Sequence, residues 1–144
     1  MDDVSQVRQL LAQYCQLMDD RRYPEWSQLF TADGVWALGG KDHRGPAETQ
    51  AFMDQLLRNH PHRRTRHLNT NLLLELDGAE GRVTSDYAML SSEPEGAAWT
   101  VVAMGRYFDR VVRKPDGSGW QFAERRLGTA ADWKTLGHGE LETA

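Results

Sequence analysis

Asp19 and His67 are the two residues whose types and surroundings suit acid–base chemistry. A carboxylate that orients an imidazole turns an ordinary histidine into a general acid and base. The two lie far apart in the chain, so the chemistry exists only if the fold joins them. Joined, they describe a small acid–base enzyme. Kept apart, they describe a binding or structural subunit.

The element that must carry Asp19 is legible. Val4, Val7, Leu11, Tyr14, Cys15 and Met18 recur at three- and four-residue spacing, which predicts a helix over about residues 3–20 with one buried face. At about 100° per residue, Asp19 falls beside the buried stripe and Asp20 turns farther toward solvent. Both acids sit near a helix C-terminus, where the macrodipole disfavours negative charge by roughly 0.3–1 kcal/mol. Asp19 therefore calls for a partner. Arg21 or Arg22 could supply a surface ion pair, and a histidine could supply a functional one; periodicity alone slightly favours the arginines.

Five histidines compete for that role. His43 and His138 fall in Gly-rich or polar loops and are expected in solvent. His60 and His62 flank Pro61. A pair so spaced can bind a metal, but no third ligand follows at suitable spacing, and no metal is expected. His67 stands inside the strand-like run Arg66-His67-Leu68-Asn69-Thr70-Asn71. Strict alternation places it on one face with Asn69, Asn71 and Leu73, and places Leu68, Leu72, Leu74 and Leu76 on the other. If the leucines face the helices, His67 points away from any pocket. A bulge near residues 69–71 could exchange the faces. Alternatively the leucine face packs on a second subunit and leaves His67, Asn69 and Asn71 toward the pocket. An exposed row of leucines usually marks an interface. The second arrangement, a homodimer or higher homo-oligomer joined through the sheet, is the expectation.

The remaining elements follow from period and punctuation. Tyr23-Pro24 ends the first helix, and Pro24 can open a short second one over about residues 25–30. Asp33-Gly34 is a turn, Val35 to Leu38 a short strand, and Gly39-Gly40 its end. A third helix is predicted over about residues 47–59. The period then becomes alternating, and residues 65–76, 82–92, 98–113 and 119–127 read as four long strands joined by hairpin-like segments. Helices first and antiparallel strands after imply an α+β fold: a cone-shaped curved antiparallel or mixed sheet packed on three N-terminal helices around an apolar pocket. The chain reads as one domain over residues 1–144, with a core over about 4–127 and a tail from 128.

Composition narrows the function classes. The 144 residues are 40% hydrophobic and 26% charged, ordinary for a folded domain. A net charge of −4 argues against a nucleic-acid binder. Asp2 and Asp3 follow Met1 with no apolar segment behind them, so no secretory signal is expected. No apolar run approaches the roughly 20 residues of a membrane span. The single Cys15 excludes an internal disulfide and fits a reducing, cytoplasmic setting. It lies in the apolar stripe, as a buried inert thiol would. Dinucleotide, P-loop, nucleophile-elbow and C-x-x-C motifs are missing, and no cofactor is expected.

By residue type, Tyr14, Trp26, Trp36, Asn69, Tyr87, Met104 and Arg125 are the candidates for holding a small apolar or cyclic substrate, with Trp99 and Tyr107 also available. Core packing is the commoner use of any single aromatic. Aromatic residues with polar tips suit ring-shaped ligands, and an inward arginine could stabilise an enolate. The basic run Arg63-Arg64-Thr65-Arg66 reads as a solvated loop.

Taken in order, these residues resemble the SnoaL-like group of the nuclear transport factor 2-like superfamily. The resemblance rests on residues 14–19 and 26–36, Gly45, residues 66–71, Gly105-Arg106-Tyr107, and Trp120-Gln121-Phe122 followed by Arg125. Within that superfamily, Asp19 and His67 look like the dyad of scytalone dehydratase and of a dehydrochlorinase, and bile-acid dehydratases carry a similar Tyr, Asp and His set. The resemblance implies that Asp19 orients His67, that His67 abstracts a proton next to a leaving group, and that Tyr14 bonds the substrate or its developing anion. Met18 stands where scytalone dehydratase has a tyrosine, and Tyr87 falls near its second pocket histidine. The signature also resembles the structural small subunit of ring-hydroxylating dioxygenases, which implies no catalysis at all.

Overall fold

The computed structural model describes residues 1–128. Asp2 caps the first helix, α1 (Asp3–Asp19), its carboxylate accepting from the Ser5 backbone N–H at 2.8 Å. Val7, Leu10, Leu11, Tyr14, Cys15 and Met18 form the buried stripe. The helix closes with the Arg22 N–H on the Leu17 carbonyl and the Arg21 N–H on the Met18 carbonyl. Arg21 occupies the left-handed position of that closure, with φ of 60°. Glycine is usual there, and another residue costs on the order of 1–3 kcal/mol. The Arg21 guanidinium supplies the reason. It donates to the carbonyls of Pro61, at 2.9 Å, and Arg63, and so ties the end of α1 to the segment entering the third strand.

The second helix, α2 (Tyr23–Ser27), begins earlier than proline placement suggests. Strand β1 (Phe30–Leu38) absorbs the expected turn at Asp33-Gly34. Gly39-Gly40 is a hairpin turn into β2 (Lys41–Arg44), an element too short and polar to show in the sequence pattern. Its one inward residue is His43. Expected in solvent, His43 is 5% exposed, with its ring 4.5 Å from that of Phe52 and 5.5 Å from that of Trp36. Helix α3 (Gly45–Asn59) follows, then β3 (Arg64–Asp77), β4 (Glu80–Ser92), β5 (Thr100–Arg113) and β6 (Trp120–Gly128). The six strands form one mixed sheet in the order β2-β1-β6-β5-β4-β3. Only β1 and β6 run parallel. The helices cover the inner face, α1 against β3 and β6 and α3 against β1. No helix among the described residues is long and apolar enough to cross a membrane. Residues 129–144, with the expected tail, Trp133 and His138, lie outside the described residues.

Strand β3 resolves the conflict over its two faces. Its pairing with β4 runs in register from Arg64 to Thr70, then shifts so that Asn71 and Leu72 together face one residue of β4. Asn71 takes φ of 54°, and its side-chain amide donates to Asp86 at 2.9 Å. This bulge exchanges the faces. Thr65, His67 and Asn69 point inward before it, and Leu72, Leu74 and Leu76 point inward after it. The expectation that the leucine row packs as a whole on a second subunit is therefore corrected. Only Leu68 and Leu73 remain outside, 56% and 72% exposed.

An aromatic cluster fills the closed end of the fold. The Tyr14 ring makes edge contacts with Phe30, Tyr107 and Phe122 and a tilted one with Trp26. Gly105 is required here. A Cβ at that position would lie 2.0 Å from the Gly128 carbonyl oxygen and 2.9 Å from the Tyr87 hydroxyl, so glycine lets the Tyr87 ring lie across β5. Cys15 packs beside this cluster, and burial pushes its thiol up to about 11. The native thiol is therefore expected to react with an aromatic disulfide reagent on the order of 100-fold more slowly than the urea-unfolded chain at mildly alkaline pH. Comparable rates in the two states would show that Cys15 is not shielded.

Candidate active site

Asp19 ends α1 and His67 lies near the start of β3, against which α1 packs. The distance from His67 Nδ1 to Asp19 Oδ1 is 2.6 Å. The same carboxylate accepts from the His67 backbone N–H at 2.9 Å and from the Thr65 hydroxyl at 2.9 Å. Three donors thus converge on a group at the unfavourable end of a helix, and the hydrogen bonds offset the macrodipole. Both side chains are nearly enclosed, 8% exposed for His67 and 7% for Asp19. In the neutral ring, a carboxylate acceptor keeps the proton on Nδ1 and leaves the lone pair on Nε2. Sequence reasoning misses Thr65. Its place two residues before His67, on the same strand face, is the signal that could have found it.

His67 lines an apolar cavity of about 270 Å³ between the helices and the sheet. That is near the lower end of the roughly 300–1,000 Å³ common for small-molecule sites. Met18, Trp36, Leu38, Phe52, Met53, Leu56, Leu57, Met89, Ala103 and Leu127 supply the apolar wall. Tyr14, Tyr87 and Tyr107 bring phenols to it. The Tyr14 hydroxyl accepts from the Trp36 indole N–H at 3.0 Å. Burial holds the Tyr14 and Tyr107 phenols well above their ordinary range, so both stay neutral and serve as donors. The Tyr87 and Tyr107 rings stack with centroids 4.5 Å apart.

Of the other expected substrate contacts, Tyr14, Trp36 and Tyr87 line the cavity and four residues do not. Trp26 is wholly enclosed by Tyr14, Phe30 and Trp36, a core residue. Met104 is 68% exposed on the outer face, because Tyr107 fixes the inward phase of β5 on odd-numbered positions. Asn69 points inward but is committed, donating to the Asp86 carbonyl and accepting from Arg125.

Arg125 is inward and fully buried, beneath the cavity rather than in its wall. Its guanidinium donates to both oxygens of the buried Asp109, at 3.0 and 3.2 Å, and to Asn69 Oδ1 at 3.2 Å. Its centre lies 3.6 Å from the Tyr107 ring centroid and 4.1 Å from that of Tyr14. Nη1 has no hydrogen-bond partner among the described residues. The arrangement is a buried charge under the phenols, which makes them better donors toward the cavity.

Comparison with known proteins identifies the family and the fold. A family model described as SnoaL-like domain matches residues 1–126. The chain is 32% identical over 131 residues to an uncharacterized protein of Mycobacterium tuberculosis, Rv2910c, spanning 87% of this chain and 84% of that protein. Two solved structures share the fold at 22% identity. A scytalone dehydratase-like protein of Novosphingobium aromaticivorans superposes with a TM-score of 0.75, covering 88% of this chain and 83% of that one. A Catenulispora acidiphila protein, solved in complex with S-DNPA, superposes with a TM-score of 0.78, covering 92% and 96%.

Proposed function

Because this chain belongs to the SnoaL-like domain family, we propose that it is a cofactor-independent lyase or isomerase, dehydratase-like, working through Asp19 and His67. The family includes cofactor-independent isomerases and dehydratases. The observation that carries the reading is the 2.6 Å contact between Asp19 and His67 on the wall of an open apolar cavity. A structural subunit needs neither the contact nor the space, and a binding subunit needs only the space.

The chemistry follows from the groups present. His67 Nε2 takes a proton from a carbon beside a carbonyl, and Asp19 stabilises the imidazolium that forms. The electron pair moves into the carbonyl, and Tyr14 donates to the resulting enolate oxygen. Trp36 occupies one lone pair of the Tyr14 hydroxyl, whose own proton is then available to donate. The enolate then expels a β-hydroxyl, which leaves as water with the proton returned by His67. Return of that proton to a different carbon gives isomerisation instead. Cyclic β-hydroxy ketones are the matching probes, because their dehydration yields conjugated enones with a strong short-wavelength ultraviolet band that the substrates lack. Wild-type turnover that disappears in Asp19→Asn and His67→Ala supports the assignment; full activity in both ends it.

The same proposal includes a homodimer through the outer face of the sheet and a cytoplasmic location. Leu68, Ala88 and Met104 stand side by side across β3, β4 and β5, with Val101 and Val102 exposed beside them. An apolar patch of this kind suits a second copy. Met104→Glu is expected to convert a dimer to a monomer in light scattering after size exclusion. An unchanged mass would move the interface elsewhere.

A further inference from the structure

The polar groups of the cavity lie in two places. The dyad and the phenols are enclosed. Arg63 and His60 also line the cavity but reach solvent, with side chains 27% and 43% exposed, and so mark its rim. Arg21, the other cation there, is committed to the carbonyls of Pro61 and Arg63. His60 Nδ1 lies 3.4 Å from the Glu93 carboxylate.

Arg63 is different. Its Nε donates to the hydroxyl of the buried Ser91 at 3.2 Å, which anchors the guanidinium from behind. Glu93 approaches only to 4.0 Å of that same Nε. Among the described residues, the two terminal nitrogens of Arg63 have no hydrogen-bond partner. An anchored, half-buried guanidinium with its outer edge unused is a planar fork shaped for a carboxylate. Arg21 adds positive potential nearby. Asp19, the acidic group on the far side of His67, already accepts three hydrogen bonds.

We infer that the substrate is an apolar-bodied carboxylic acid, its ring system in the cavity and its carboxylate on Arg63 at the rim. This deepens the acid–base reading and rests on it. The carboxylate fixes one end of the ligand, so that only carbons a set distance from it come within reach of His67 Nε2. Glu93 holds a weaker claim on the same cation and yields it to the ligand.

The inference is tested by binding of unreactive probes, which separates it from any failure of turnover. Naphthalene-2-carboxylate and its neutral isostere 2-naphthamide are titrated into the full chain by calorimetry at neutral pH. The carboxylate is expected to bind roughly tenfold more tightly than the amide. Arg63→Met should bring the two probes level by weakening the acid alone, Arg63→Lys should restore part of the preference, and Glu93→Gln should tighten the acid. Equal binding of the two probes by wild type, or a preference that survives in Arg63→Met, overturns the carboxylate assignment and leaves the dyad untouched. Binding of neither probe overturns it as well, together with the cavity's role as a ligand site.

Discussion

His67→Ala is expected to lower turnover by roughly 10²- to 10⁴-fold while leaving the protein folded, because it deletes the group that moves the proton. Asp19→Asn should cost nearly as much for a separate reason. One carboxylate oxygen accepts from the His67 backbone N–H, and the other from the imidazole and Thr65. An asparagine has one acceptor oxygen for both duties. If it keeps the backbone bond, its NH₂ group faces Nδ1 and donates to it. The imidazole then carries its proton on Nε2, where the base is needed. The double variant should be no worse than His67→Ala, since the two residues act as a unit. Enone absorbance with cyclic β-hydroxy ketones measures the loss. Ring ¹⁵N shifts of His67 separate mechanism from structure: Nδ1–H in wild type and Nε2–H in Asp19→Asn. An unchanged tautomer with lost activity would remove Asp19 from its orienting role.

The second large effect is on stability. Arg125 and Asp109 are both fully buried, and removing one partner of such a pair strands the other. Arg125→Met is expected to cost about 3–5 kcal/mol in urea unfolding, a large share of the roughly 5–15 kcal/mol that holds a typical domain together. Asp109→Asn should cost less, because the amide oxygen still accepts from Arg125. The pH dependence follows from Asp109. Burial pushes its carboxyl up to about 6 against the pull of Arg125, from an ordinary value of 3.8. The folded state therefore takes up this proton first as pH falls. The contribution of this group to stability rises as pH drops through about 6 toward 4, and is lost as pH rises again. In Arg125→Met the carboxylate has no partner, so acidification across that window should recover part of the lost stability. A loss independent of pH would mean that the cavity left by the side chain, not the stranded charge, sets the cost.

Part of the fold and of the site is legible in the amino-acid sequence. Helical phase separates Asp19 from Asp20, since a rotation of about 100° per residue decides which side chain follows the buried stripe. The α+β class follows from the change of period after Asn59, and the SnoaL-like resemblance names the family that the comparison with known proteins identifies. Alternation fails along β3 at its bulge. A period of two gives relative phase along a strand, and one inserted residue reverses it. The bulge at Asn71 leaves only a polar residue with a left-handed backbone as its trace, and Asn-rich runs are too common to announce one.

From the sequence alone come the three helices, five of the six strands, their order, the buried stripe of α1 and the residue types able to carry acid–base chemistry. These rest on local periodicity and covalent chemistry, which neighbours along the chain suffice to express. Only the tertiary structure decided that Asp19 meets His67, that Thr65 completes the carboxylate's partners, that Arg125 lies beneath the cavity bonded to Asp109, and that Arg63 stands at its rim. Each is a contact between residues 16 or more apart in the chain. Such contacts depend on register and on where a bulge falls, and no local pattern encodes them.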